Sequence, residues 1–379
     1  MTEESIKYRR GKLAFLMTAG AIGIVLLVIS TYQLVEFTDS TAFCGRLCHG
    51  VMYPEYTAHQ ASPHSRVTCS QCHVGSGAGY LVKSKVSGVP LIIATVFNTY
   101  ERPIPTPVHD LRPARETCEQ CHRPERFAGD LVRVHTTYGI DETNTEKVDT
   151  RILRVGGGEA KIARDIHWHV AAKVWYVATD DKRQEIAWVG VEKPDTPPAE
   201  YIDPRPGFQV TTEKITTDKR LMDCMDCHNR ATHIFSSPEE LIDEAIAQGR
   251  INKTLPFIKR EGLSALNPPS PSLEQAYNRI EKVKDFYRTS YPKVYQEKGA
   301  AIDKALAELK EIARLTTFPF MNVTWKSYFD NAGHIESPGC FRCHGKLVVK
   351  DGDQKGKTID AGCNSCHSLQ LPQVSGGAG

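Results

Sequence analysis

The chain has 379 residues, 24% of them charged, with a net charge of +2 and a mean hydropathy of −0.36. That length allows two or three domains, and the polar composition excludes a polytopic membrane protein. No basic run follows the first dozen residues, which excludes a nucleic-acid partner.

Residues 1–12 carry Lys7, Arg9, Arg10 and Lys12 against Glu3 and Glu4. Leu13 to Val35 then run for about 23 residues without a charge, long enough to span hydrocarbon. A cleavable signal peptide has a shorter apolar region, about 7–15 residues, and ends at an A-x-A-like site, which this segment lacks. The reading is an uncleaved anchor over 13–36, with 1–12 in the cytoplasm by the excess of Lys and Arg. This is a single pass through the cytoplasmic (inner) membrane, with the remainder facing the oxidising periplasm. Gly20 and Gly23 mark a place for a close helix contact.

Six cysteine units follow and use all twelve cysteines. The first is looser, Cys44-Gly45-Arg46-Leu47-Cys48-His49; the strict C-x-x-C-H copies are Cys69/Cys72-His73, Cys118/Cys121-His122, Cys224/Cys227-His228, Cys340/Cys343-His344 and Cys363/Cys366-His367. C-x-x-C-H is the attachment signature of c-type haem. The thiols form thioethers to the vinyl groups on one edge of the macrocycle, and the adjacent histidine lies under the iron as proximal ligand. Zinc knuckles and disulfide frameworks also use paired cysteines, but neither needs a histidine after every second one. In the first unit the extra residue must bulge out of the attachment loop. Six covalently bound haem c groups are therefore expected, at about 57 residues each, too few for a domain per cofactor. The porphyrins should supply much of the apolar core.

The run Glu36-Phe37-Thr38, Phe43-Cys44, Cys48-His49-Gly50-Val51-Met52, Ser62-Pro63-His64 and Cys69-Ser70-Gln71-Cys72-His73 resembles the NapC/NirT family. With its NrfH partner of nitrite reductase, that family comprises membrane-anchored multihaem quinol dehydrogenases. The similarity covers about residues 30–125, and the chain looks like a longer, haem-rich member. The resemblance implies a multihaem cytochrome c; with the residue readings, the fold class expected is mostly α and irregular, with a small antiparallel β insert and a single N-terminal transmembrane helix. It also implies Met52, in a C-H-x-x-M pattern, on the first iron with a weak or open opposite face. Packing of Met52 against a haem edge is the alternative. His64 occupies a position that ligates another haem. A lysine touches the quinol oxygen, so Lys83 and Lys85, within Val82–Gly88, are candidates, and a solvated or phosphate-facing role stays open. No Asp or Glu lies between His73 and Tyr100, which leaves Glu36, Asp39, Glu55 or water as proton acceptor.

The N-terminal haem domain, with three haems, occupies 37–128. Within it Glu101–Pro107 is too proline-rich for helix or central strand. Arg112 and Arg115, before the third unit, suit haem propionates or ordinary ion pairs. A β-rich insert covers 129–215, where Ile166–Ala178 and Gln184–Val191 flank Asp180-Asp181-Lys182 as strands flank a hairpin turn. Alternation in His167-Trp168-His169-Val170 puts both histidines on one face, so at most one meets a given iron. The fourth unit and a helical region fill 216–330. A helix starts at Ser237-Pro238 and stops near Gly249. A second helical stretch runs from Ser272 to about Thr316, broken at Pro292, with Ile302, Ala305, Leu306, Leu309 and Ile312 as its apolar stripe. The dihaem tail is 331–379, with Gly376–Gly379 frayed.

Beyond the six proximal histidines stand His59, His64, His109, His135, His167, His169, His233 and His334. With Met52 on the first iron, five irons take His64, His233, His334, one of His167 and His169, and His135. His59 and His109 lie in polar loops and read as surface residues. The whole reads as a cytochrome passing electrons from membrane quinol, menaquinol or ubiquinol, at the first haem to a periplasmic reductase or soluble cytochrome. Oligomers are allowed. Cys224–His228 is a closed relay and the tail pair the exit. The rival readings are a multihaem oxyanion reductase with one five-coordinate haem and a redox subunit of a larger respiratory complex.

Overall fold

A computed structural model describes residues 3–47, 49–75, 77–108, 113–123, 126, 129–158, 163–193, 196–335 and 337–368. Cys48, His109, Arg112 and Gly376–Gly379 lie outside them. Helix α1 (Glu3–Asp39) contains the anchor, and its segment Gly11–Asp39 is long and apolar enough to cross a membrane, with none of its apolar window buried in the protein. At 1.5 Å per residue such a segment is about 43 Å long, more than a hydrocarbon layer of about 30 Å.

Phe43–Leu47 wind as one π turn, and α2 (His49–Gln60) follows. Helix α3 (Cys69–His73) starts at Thr68, whose backbone N–H is held by the Gln71 side chain. Val82–Gly88, a basic stretch in the sequence, proves to lie within a nineteen-residue helix, α4 (Ala78–Val96). The proline-rich 101–107 crosses without regular structure, as its composition requires, and α5 (Ala114–Cys118) leads into the third unit. Strands β1 (Leu131–Tyr138) and β2 (Glu146–Leu153) form a hairpin. Then come α6 (Trp168–Ala171), β3 (Val174–Ala178), β4 (Ile186–Lys193), β5 (Thr196–Ile202), α7 (Thr212–Asp218), β6 (Arg220–Leu221) and α8 (Cys224–Cys227). The helical region is α9 (Pro238–Ala247), α10 (Ile258–Leu266), α11 (Leu273–Ser290), α12 (Pro292–Glu297) and α13 (Gly299–Thr316). The short strands β7 (Thr317–Phe318), β8 (Val323–Thr324), β9 (Val348–Val349) and β10 (His367–Ser368) complete the chain.

The hairpin around Asp180–Lys182 forms as expected, β3 on β4, because Val174-Trp175-Tyr176-Val177 is β-branched and aromatic. The stretch before it departs from the sequence reading. Trp168–Ala171 is a helical turn rather than strand, with His167 at its N-cap. Neither sheet closes within the insert. The sheet order is β6-β3-β4-β5-β9 in one and β1-β2-β10 in the other, so both borrow a strand from the tail.

The helices α9 to α13 bury a core of their own side chains. Ile302, Ala305, Leu306, Leu309 and Ile312 of the α13 stripe pack against Ile242, Ile280 and Tyr287. Ser237 caps α9 in a reciprocal box with Glu240, and the break at Pro292 starts α12. The need for cofactor packing thus falls on the other segments. The β1–β2 hairpin is stitched to this body by buried polar groups. Lys259, only 2% exposed, donates to Tyr138 O at 2.7 Å and to Asp243 at 2.9 Å. Asn144 in the hairpin loop donates to Lys253 O and Leu255 O and accepts from Lys259 N. Removing one partner of a buried ion pair leaves the other charge stranded. Lys259→Ala is therefore expected to cost about 3–5 kcal/mol, and Lys259→Met with Asp243→Leu to recover most of it, measured by denaturant unfolding followed through helical circular dichroism.

Candidate functional site

The attachment units sit on single helical turns. In three of them the histidine N–H bonds the carbonyl of the first cysteine: His122 to Cys118 at 2.8 Å, His228 to Cys224 at 2.8 Å and His344 to Cys340 at 3.1 Å. Such a turn puts cysteines three apart on one side. The looser first unit absorbs its extra residue in the π turn, whose wider ring is the usual result of one inserted residue. Gly339, at φ +47°, precedes Cys340 in a place closed to other residues, since a Cβ there would stand 1.7 Å from Gly333 O.

Five attachment histidines each face a second histidine. Ring centres are 6.3 Å apart for His73 and His233, 6.0 Å for His122 and His64, and 6.5 Å for His228 and His167. They are 5.8 Å apart for His344 and His169 and 6.2 Å for His367 and His334. An imidazole nitrogen bonds a transition metal at about 2 Å and lies about 1.2 Å from its ring centre, so one iron between two imidazoles sets a separation of about 6.4 Å. The five pairs fit that spacing. Four of the ten rings have Nδ1 on a backbone carbonyl: His64 on Ala231 O, His169 on Ile166 O, His233 on Glu55 O and His344 on Asp360 O. A carbonyl only accepts, so Nδ1 carries the proton and Nε2 is left as the bare donor that metals bind. Burial, and then the neighbouring His73, hold the His233 ring at about 4, well below the usual imidazole range and in the neutral form that ligation needs.

Successive units lie near one another. The Cys44 and Cys69 thiols are within hydrogen-bonding reach, as are those of Cys118 and Cys224. Cys72 neighbours Cys121, Cys227 neighbours Cys340 and Cys343, and Cys366 neighbours Cys340. The fourth and fifth units are also bonded directly through their intervening residues. Buried Arg342 donates to Asp226 O at 2.6 Å, to Gly339 O and to Arg183 O. The Asp226 carboxylate accepts from Tyr176 Oη at 2.6 Å and from Asp223 N at 2.7 Å. Neither residue stands out in the sequence, because Arg342 bonds the Asp226 main-chain carbonyl, an acceptor that almost any residue offers.

At the membrane end, Lys85 Nζ bonds Thr38 Oγ1 at 2.8 Å and the Asp39 carboxylate, joining α4 to the last turn of α1. Lys83 is exposed, about 200° around the helix from Lys85. Val82, Val86, Val89, Leu91, Ile92 and Ile93 of α4 are exposed, as are the apolar residues of α1. Met52 lies one helical turn after His49 and packs, partly buried, near Val51, Phe318 and Met321. Glu55 is instead buried in the protein beside Arg230 and His233, where desolvation raises its pKa and Arg230 partly offsets the rise.

Three expectations are corrected. His135 does not approach an attachment histidine; it is exposed on β1, opposite Asp149. His167 and His169 both stand opposite attachment histidines, on two different units, because they flank Trp168 at the start of a helical turn and not along a strand. His59 is a buried residue, 4% exposed, with Nε2 on Val67 O and Nδ1 on Gln60; both ring nitrogens are committed.

Repeated attachment turns, five of them set against a second imidazole, define a multihaem c-type cytochrome. Residues 7–104 match the family described as "NapC/NirT cytochrome c family, N-terminal region". Over 368 residues, 96% of this chain and 71% of the relative, the sequence is 42% identical to the cytochrome c-type protein ImcH of Geobacter sulfurreducens. No solved structure matches. The chain belongs to the NapC/NirT cytochrome c family, as a membrane-associated electron-transfer protein with covalently bound haem c.

The contact between the fourth and fifth units has a measurable weight. Arg342→Ala removes a buried guanidinium from three backbone carbonyls and is expected to lower stability by about 2–4 kcal/mol, read as a fall in the thermal midpoint of the haem-loaded protein.

Proposed function

We propose that this chain is a hexahaem quinol dehydrogenase, anchored by α1 in the cytoplasmic membrane with its haem-bearing part in the periplasm. It takes electrons from membrane quinol beside the first unit and delivers them to a periplasmic reductase or soluble cytochrome. The observation that carries the reading is the set of five histidine pairs. A haem held between two imidazoles has no open position and its surroundings change little on reduction, which suits a carrier. Among the remaining described histidines, His49 belongs to the first unit, His59 is committed elsewhere and His135 is exposed. Met52, one helical turn after His49, is the sulfur ligand of the first unit in this reading, and that unit is the one nearest the anchor. Bound haem c supplies a one-electron carrier at each unit, and the neighbouring thiols favour a path in chain order. The same five pairs weigh against an oxyanion reductase, which needs an open iron away from the membrane.

The chain's own groups fit the quinol end. Lys85 is positioned to polarise a quinol oxygen, and Asp39, joined to it, is the carboxylate to accept the released proton. Thr38 orients the lysine. The apolar side chains of α4 extend the lipid-facing surface of α1, which would bring this pair to the depth where quinol headgroups reside. Separating the pair by Lys85→Ala or Asp39→Asn is expected to slow reduction by menaquinol about 100-fold with dithionite reduction unchanged, while Lys83→Ala has a smaller effect. Protein that dithionite reduces but neither menaquinol nor ubiquinol reduces would end the quinol reading.

The ligand set has its own test. His169→Ala is expected to convert one haem in six to the high-spin form in optical and paramagnetic-resonance spectra, whereas His135→Ala leaves the spectra as they are. A high-spin signal from His135→Ala, or none from His169→Ala, would contradict the proposed ligands.

A further inference from the structure

The β1–β2 hairpin sets like charges face to face. Arg133 stands directly opposite Arg151, an arrangement that weakens an antiparallel pair unless an anion lies against it. Asp149 pairs with Arg151 at 2.5 Å. Arg133, exposed on the edge strand, has no hydrogen-bond or ion-pair partner among the described residues.

The register shows what the two arginines face. His367 of β10 is paired with Leu153, and Leu153 with Leu131. Residues opposite one another share a face of the sheet, as do residues two apart along a strand. His367, Leu153, Leu131, Arg151 and Arg133 therefore lie on one face. Rows on that face are about 6.8 Å apart and strands about 4.8 Å apart, which puts the Arg151 and Arg133 Cα atoms about 8 and 12 Å from that of His367. A long arginine side chain spans the rest of the way to a macrocycle held at His367.

The chain direction shows which edge of the macrocycle they meet. From His367 the chain runs back past Leu153 to Arg154, whose N–H bonds Cys366 O at 2.8 Å and whose Nη1 bonds Asn364 O at 3.0 Å. A macrocycle attached through Cys363 and Cys366 would thus have its thioether edge on the Arg154 side. Propionates leave a haem from the opposite edge, which is the side of Arg151 and Arg133. Two leucines under the ring and two guanidiniums beyond it match an apolar disc with two carboxylates, which planar forks bind in parallel hydrogen bonds.

We infer that Arg133 and Arg151 form a carboxylate clamp on the propionates of the sixth haem, a site that rests on the six-haem reading above. The positive charge of Arg133, with that of Arg151 partly offset by Asp149, favours the reduced cofactor, so the clamp raises the potential of the last haem and draws electrons to that end of the chain.

The test uses the full-length, haem-loaded protein. Mass of the purified chain reports the haem count, and a spectroelectrochemical titration reports the potentials. In Arg133→Gln with Arg151→Gln, one component is expected to move to lower potential by about tenfold in its equilibrium constant, about 59 mV for one electron. Lysine at both positions is expected to restore most of the shift, and Arg288→Gln, on the distant α11, to cause none. Six haems with no component moved overturn the clamp and leave the haem reading standing. Fewer than six haems in the unsubstituted chain overturn the reading beneath it. Should the double variant fail to accumulate, Arg133→Gln alone is expected to move the same component about threefold, and the absence of that shift overturns the clamp equally.

Discussion

Two imidazoles set about 6 Å apart, five times over, are the constraint around which the described part of the molecule is arranged. Each pair joins a histidine fixed beside its own cysteines to one carried by another segment. His64, from the loop after α2, meets the third unit; His233, from the turn after the fourth unit, reaches back to the second. His167 and His169 leave one helical turn toward the fourth and fifth units, and His334 precedes the fifth unit but faces the sixth. No unit has both of its histidines from its own stretch of chain. In three of the five pairs a carbonyl on Nδ1 orients at least one ring, so backbone packing fixes how those rings stand.

This weave explains why neither sheet is complete within one segment. β9 and β10 close the two sheets of the insert from the tail, and β10 is the strand that carries His367. The strand that completes the β1–β2 sheet is therefore the one that sets His367 against His334. The Arg342–Asp226 contact serves the same end by fixing the fifth unit to the fourth through backbone carbonyls, which a side-chain rotation cannot disengage.

The haem-free helical body is of another kind. Its core is made of ordinary aliphatic and aromatic side chains, and its buried Lys259 and Asp243 face one another while gripping the β1 backbone. It gives the β1–β2 hairpin a rigid mount. It also reaches the membrane-side units, since Arg314 of α13 contacts Tyr53 and Phe318 packs with Val51.

What the sequence by itself determined is whatever chemistry requires to be contiguous. Thioether attachment needs two cysteines and a histidine within one turn, so the attachment units are legible residue by residue. The anchor and the capped helices follow from local hydropathy and hydrogen bonding, and α9 begins at the serine that its capping box demands. Tertiary structure alone decided the partners. His135 and His167 are the same residue type in similar local settings, yet packing leaves one exposed on an edge strand and turns the other toward His228. A two-residue alternation looked like a strand where a single helical turn formed, because four residues are too few for periodicity to separate the two. Asp39 met Lys85 only when α4 folded back onto the end of α1. Covalent attachment is local and therefore written along the chain, whereas the pairing of one histidine with another is a meeting in space, which only the packed chain decides.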